Sequence, residues 1–111
     1  KMGLNLSRGE AIKYYSSDRI TQIVGNGLVC LIDEKTKYRD YFDNDEMVFY
    51  KNENDLSEKI LKISRDEKLR RSIGKKGKIK YMKYFNSTNV AEFIVNKTLD
   101  LKDKKKFYWH N

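Results

Sequence analysis

Two adjacent serines, Ser16-Ser17, stand directly before the run Asp18-Arg19-Ile20-Thr21-Gln22-Ile23-Val24, in which Ile20, Ile23 and Val24 fall at i, i+3 and i+4. That spacing predicts a helix with one buried face. A serine at its start predicts an N-cap. The free backbone N–H groups and partial positive charge of a helix start attract phosphate. Ser7, Arg8 and Lys13 precede the serines, and Arg19 follows in the first turn. A cation at that point opposes the helix dipole by roughly a few tenths of a kcal/mol. It calls for an anionic partner: Asp18, Glu10 or a ligand phosphate. The plainer reading is an ordinary cap, with Arg19 in a surface ion pair.

The other residues with chemistry to offer form weaker patterns. Asp40, Asp43, Asp45 and Glu46 cluster in one loop. Their spacing matches no EF-hand, so a solvated turn is expected and no metal site is assigned. His110 is the one histidine and Cys30 the one cysteine. A Ser-His-Asp triad or a Cys/His zinc site would need more parts than these. Cys30 sits inside the apolar run Leu28-Val29-Cys30-Leu31-Ile32, as an inert core residue would. Neither a dinucleotide glycine fingerprint nor a P-loop occurs.

With 111 residues, of which 39% are apolar, one domain with one modest core is expected. No apolar run approaches the ~20 residues that span a bilayer, and no leader pattern opens the sequence, so a cytoplasmic place is expected. The net charge of +8 is uneven. Residues 1–58 carry 8 basic and 11 acidic side chains, whereas residues 59–85 carry 11 basic and 2 acidic. Such a stretch suits a solvated helix face, the phosphates of nucleic acid, or an anionic membrane. Lysine outnumbers arginine there, which disfavours specific nucleic-acid reading.

Strand and helix signals alternate along the chain. Gly3 to Ser7 reads as a short strand. After the helix following Ser16-Ser17, the turn Gly25-Asn26-Gly27 stops it. Leu28 to Ile32 is apolar without alternation, as in a parallel strand covered on both faces. Tyr38 to Phe42 predicts a helical turn and Met47 to Tyr50 a third strand. Capping boxes are expected at Asp55-Leu56-Ser57-Glu58 and Ser64-Arg65-Asp66-Glu67, with a further cap at Asn89. Leu69, Ile73, Gly77, Tyr81 and Phe85 lie at steps of four. Gly77 on that apolar line costs about 1 kcal/mol relative to Ala, which close approach to a neighbouring element would offset, simple tolerance of the cost being the alternative.

The expected fold is therefore α/β: a small parallel sheet with flanking helices and a helical C-terminal half. Three strands are few, and the first would need neighbours on both sides in a doubly wound sheet. Part of a larger nucleotide-binding domain is expected, a complete small domain being the alternative. Ligands of open parallel sheets bind past the carboxyl ends of the strands. Here that edge holds the loops Ser7 to Ser17 and Asp33 to Lys37.

The run from Tyr14 to Val29 resembles the C-terminal segment of GT-B glycosyltransferases. It is most similar to the group 1 C-terminal domain of the spore-maturation-protein type. That family has Arg, two hydrophobic residues and Glu in a helix, then a small-small-Gly turn into a strand. Arg19-Ile20-Thr21-Gln22 and Gly25-Asn26-Gly27 occupy those places. Val48-Phe49-Tyr50 with Asn54-Asp55-Leu56 and Lys59-Ile60 resembles its next strand and helix. Asp66, Leu69, Ile73 and Gly77 resemble the helix after that. The resemblance spans residues 3 to about 100.

It implies a partial Rossmann-like donor-nucleotide-binding domain over residues 1–101, with a basic and aromatic tail over 102–111. Its substrate would be a nucleotide-diphosphate sugar, with no further cofactor. Carried over by position, Ser16, Ser17 and Arg19 would face the donor phosphates. Arg8 joins them from the same loop. Gln22 stands where the family's Glu contacts the ribose, and Tyr14 where the first Glu of a paired-Glu motif would fall. The remaining parts of such an enzyme, including the acceptor-activating base, would be partners supplied by further chain. A peripheral place at the inner membrane face fits the basic stretch. Two other classes stay open: a non-catalytic basic module binding nucleic acid or anionic membrane through residues 59–85, and a receiver-like domain using Asp33 and Glu34.

Overall fold

A computed structural model describes residues 1–6, 9–15 and 17–110. Three strands, β1 (Met2–Asn5), β2 (Val29–Asp33) and β3 (Val48–Tyr50), form one sheet in that order. Both pairings are parallel, with Met2 opposite Val29 and Leu31 opposite Val48. Helix α1 (Arg19–Gly25) makes the first crossover, and two 3-10 turns, Glu34–Thr36 and Tyr38–Asp40, begin the second. Then come α2 (Glu53–Arg65), α3 (Glu67–Tyr84) and α4 (Ser87–Thr98). The expected α/β class and its three strands are all present.

The apolar run of β2 is covered on both faces, as its lack of alternation requires. Cys30 and Ile32 join Ile20, Ile23, Val24, Phe42, Met47 and Phe49 in one core. Val29 and Leu31 point the other way, to Val48, Tyr50, Ile63 and Ile73. Helix α3 takes part in both. Leu69 and Ile73 pack in the second core, Tyr81 and Phe85 in the first.

Between those two contacts α3 passes the amino edge of the sheet at Gly74 and Gly77. A β-carbon on Gly74 would run into the carbonyl oxygen of Gly27, and one on Gly77 into that of Glu46. Gly27 precedes β2 and Glu46 precedes β3, so one helix fixes where both strands begin. The close approach expected at Gly77 is real, and Gly74 shares it.

The helix starts are displaced from the expected boxes, upstream for α2 and α4 and downstream for α3. Asn52 caps α2 by accepting from the Asp55 amide, while the Asp55 carboxylate accepts from the Lys51 amide. Asp66, rather than Ser64, caps α3 through the Leu69 amide. Asn86, rather than Asn89, caps α4 through the Asn89 amide. In each case a side chain of cap type three residues earlier reaches the amide of the third helical residue, so the helix begins there.

Gly74→Ala and Gly77→Ala should each cost about 2–4 kcal/mol, because the obstacle is backbone that cannot rotate away. Gly25→Ala, whose β-carbon would meet only Met82 Cε at 3.6 Å, should stay within about 1 kcal/mol of the parent. Urea midpoints separate the two classes. Burial also pushes the Cys30 thiol up to about 12. The raised value means its contribution is intact below the unfolded thiol pKa, roughly 8.5, and is lost as pH climbs through the folded value. Stability should therefore fall from pH 8 to pH 11, with a shallower slope in Cys30→Ala, as read by chemical denaturation at each pH.

Candidate active site at the carboxyl edge of the sheet

The loop after β1 returns to α1 along the carboxyl edge and is pinned there by two side chains. Ser17 Oγ donates to Asn5 Oδ1 at 3.1 Å. Asn5 ends β1 and is 2% exposed, and its Nδ2 has no hydrogen-bond partner among the described residues. An unsatisfied buried amide costs about 1–3 kcal/mol, so this one marks a place where another acceptor belongs.

Tyr14 is the second pin. Its backbone has φ 59, a left-handed conformation that costs a bulky residue energy. Contacts with the segment after β2 hold it. Its N–H donates to Thr36 O at 2.8 Å, its hydroxyl to Asp40 Oδ2 at 2.6 Å, and its ring packs on Tyr41 at 5.1 Å. The Asp40 carboxylate, by accepting the phenolic proton, pushes the Tyr14 pKa up to about 12. The first loop is thereby stitched to the segment that follows β2.

Beside these pins lies a cavity of about 500 Å3. Ser17, Asp18 and Thr21 of the α1 start line one wall, and Tyr38, Tyr41 and Trp109 line others. Thr21 Oγ1 and the Tyr81 hydroxyl share a 2.8 Å hydrogen bond across it. The tail closes one side: Phe107 is buried, and Trp109 stacks on Phe85 at 5.4 Å.

The expected site residues divide as follows. Arg8 and Ser16 lie outside the described residues. Ser17 is half-buried at the rim, but its hydroxyl does not cap α1. It is spent on Asn5, and the Ser17 carbonyl accepts from the Ile20 amide at 3.1 Å. The N-cap position is Asp18, in helical conformation and without a side-chain cap bond. Arg19 is exposed at the first position of α1, and neither Asp18 nor Glu10 pairs with it. It has no ion-pair or hydrogen-bond partner among the described residues. Gln22, three residues on and therefore on the same exposed face, engages only its backbone among the described residues: its N–H donates to Asp18 O at 3.4 Å, and its carbonyl accepts from Asn26 Nδ2 at 2.6 Å. Asn5 escaped the sequence reading, although a lone amide ending an apolar strand is a visible signal. The rings of Tyr38, Tyr41 and Trp109 come together only in the fold.

Two other expectations are placed by the structure. Asp43, Asp45 and Glu46 do converge, with carboxylate oxygens within 4.8 Å of one another. Helix α3 supplies their counter-charge: Lys76 reaches Asp45 at 2.9 Å and Lys80 reaches Glu46 at 2.9 Å. The hydrogen bond from Lys76 holds the Asp45 carboxyl below its usual range. Burial works to lower the Lys80 ammonium, and its bonds to Glu46 and Tyr108 outweigh it, leaving its pKa raised. Asp40 is not part of that cluster; it belongs to Tyr14.

A parallel sheet covered on both faces, with its cavity and its unsatisfied amide at the carboxyl edge, defines a Rossmann-like α/β domain of the kind that binds ligands at that edge. The family model described as glycosyl transferase-like matches residues 1–96, and the chain belongs to that family. No curated protein and no solved structure matches the chain.

Because Asp40 is the largest cause of the raised Tyr14 value, Asp40→Asn should bring that phenol down toward 10. A pH titration of carbon-13-labelled tyrosine by NMR reads this directly, with one ring resonance moving its midpoint downward by more than one unit.

Proposed function

We propose that the chain is the donor-binding part of a glycosyltransferase of GT-B architecture, nearest in pattern to the spore-maturation-protein type. In this reading residues 1–101 hold a nucleotide-diphosphate sugar whose glycosyl group passes to an acceptor. The observation that carries it is the unsatisfied Asn5 amide, set against Ser17 at the carboxyl edge of a chain that belongs to the glycosyl transferase-like family.

Glycosyl transfer from such a donor breaks the bond between the anomeric carbon and the diphosphate oxygen, and negative charge develops on the leaving diphosphate. Fixed donors and cations placed where that charge appears lower the barrier. Arg19 offers a guanidinium with no partner among the described residues, matched in shape to phosphate oxygens. The Asn5 Nδ2 group adds a neutral donor, and Arg8 and Ser16 belong to the same segment. Helix α1, with seven residues, contributes little dipole of its own. The cation and the amide therefore carry the phosphate seat. Asp18 lines the cavity side of the helix start, so the phosphates would lie on the Arg19 side, away from its carboxylate. Gln22 shares that face and can both donate to and accept from ribose hydroxyls. The acceptor-activating base is assigned to none of these residues.

Backbone amide NMR with UDP and with GDP tests the reading. Shifts are expected at Ser17, Asp18 and Arg19 and at the Asn5 side-chain amide. Arg19→Ala should weaken binding about tenfold, the equivalent of one charge-assisted hydrogen bond. Saturating nucleotide that moves none of these resonances would overturn it.

A further inference from the structure

The outer face of α3 has no role in the site. At 100° per residue, Lys68, Lys75, Lys78, Lys83, Ile79 and Met82 fall within one arc of this 18-residue helix. All six are exposed, Ile79 by 58% and Met82 by 47%. The arc lies opposite Gly77, and its Lys78 edge borders Gly74; these two glycines are pressed against the amino edge of the sheet. No carboxylate falls inside it. Glu67 borders it and is engaged by Arg71 at 2.6 Å. The acids of the 43–46 loop are met by Lys76 and Lys80 on the flank, not by the lysines of the arc. Among the described residues Lys68, Lys75 and Lys78 have no acidic partner, and Lys83 rests over the Tyr84 ring at 5.0 Å.

We infer that this face of α3 is a docking surface for an anionic lipid bilayer, on which the lysines meet headgroup phosphates and Ile79 and Met82 enter the acyl boundary. Charge complementarity selects the partner's sign. The two exposed apolar side chains between the lysines select its kind. A bilayer surface takes up both at once, because its headgroups are anionic and the layer beneath them is apolar. A nucleic-acid backbone would leave Ile79 and Met82 without a counterpart. The arc also lacks what single strands and duplexes require: its one arginine is ion-paired, and it presents no ring for a base to stack upon. Contact is peripheral, since no described helix is long and apolar enough to cross a membrane. The inference is independent of the donor site, which occupies the other edge of the sheet.

Co-sedimentation with sized vesicles tests it. Binding is expected to vesicles of phosphatidylcholine with 30% phosphatidylglycerol, and not to phosphatidylcholine alone. Each lysine near an anionic surface is worth about fivefold in affinity, so Lys75→Glu with Lys78→Glu should abolish binding. Ile79→Ser with Met82→Ser should weaken it at least fivefold at physiological salt. Circular dichroism controls for folding, which these exposed changes should leave intact. Anionic vesicles that fail to bind, or that bind the serine variant as well as the parent, would overturn the inference. So would tighter binding to polyuridylate or duplex DNA through the same lysines. The nucleotide-binding readout at Arg19 is unaffected by any of these outcomes, so the two readings fail separately.

Discussion

The approach of one helix backbone to two others governs this fold. Where α3 passes Gly27 and Glu46, there is no room for even a methyl group, and the sequence supplies Gly74 and Gly77 there. The helix accepts roughly 2 kcal/mol of lost propensity for the pair. In return, carbonyls just ahead of β2 and β3 are fixed against a single rigid element. Both strands of this very small sheet thus start from positions set by the same helix. Sheets of three short strands have little pairing energy of their own, so the register depends on this contact together with the two apolar layers.

Fixing the amino edge leaves the carboxyl edge to the loops. There the chain tolerates features that the core does not: a tyrosine with positive φ and, among the described residues, a buried amide lacking one partner and a cation without a counter-ion. Each costs free energy, and none improves packing. Such costs persist at sites where a ligand completes the arrangement. Tyr14 shows how the local strain is met. Its amide, hydroxyl and ring all engage the segment after β2, so the loop that carries Ser17 is held by residues more than twenty positions away.

Much of this was legible in the sequence, for identifiable reasons. Periodicities of two kinds survive in short segments, so Leu28 to Ile32 and the Leu69-Ile73-Gly77-Tyr81-Phe85 line announced a doubly covered strand and a buried helix face. Gly77 marked a costly position, and the fold shows that a close approach, not simple tolerance, accounts for it. Helix starts were misjudged because Ser, Asn and Asp recur every few residues here. Nothing local tells which of Asn52 or Asp55, Asp66 or Ser64, will reach the third amide. The role of Ser17 was misread for a related cause. Its hydroxyl serves a strand residue twelve positions earlier, a contact that only the tertiary fold creates. The seat of Trp109 on Phe85 is equally invisible, since aromatic contacts carry no spacing rule.

Charge shows most clearly how far composition reaches. The sequence reveals that 59–85 is basic, but not that its lysines serve opposite ends. Lys76 and Lys80 turn inward along the flank and neutralise the 43–46 loop, where three carboxylates within 4.8 Å would otherwise repel one another. That pairing supports the same loop whose Glu46 carbonyl receives Gly77. The lysines at 68, 75, 78 and 83 have no such work, and they cannot acquire it by rotating the helix. Any turn of α3 about its axis would replace Gly74 or Gly77 at the amino edge with a residue bearing a side chain. The glycine contact therefore decides which cations are internal and which are presented. It also leaves Ile79 and Met82 well exposed, at 58% and 47%. An exposed apolar pair of that origin is not slack in the packing but a consequence of the constraint that holds the sheet.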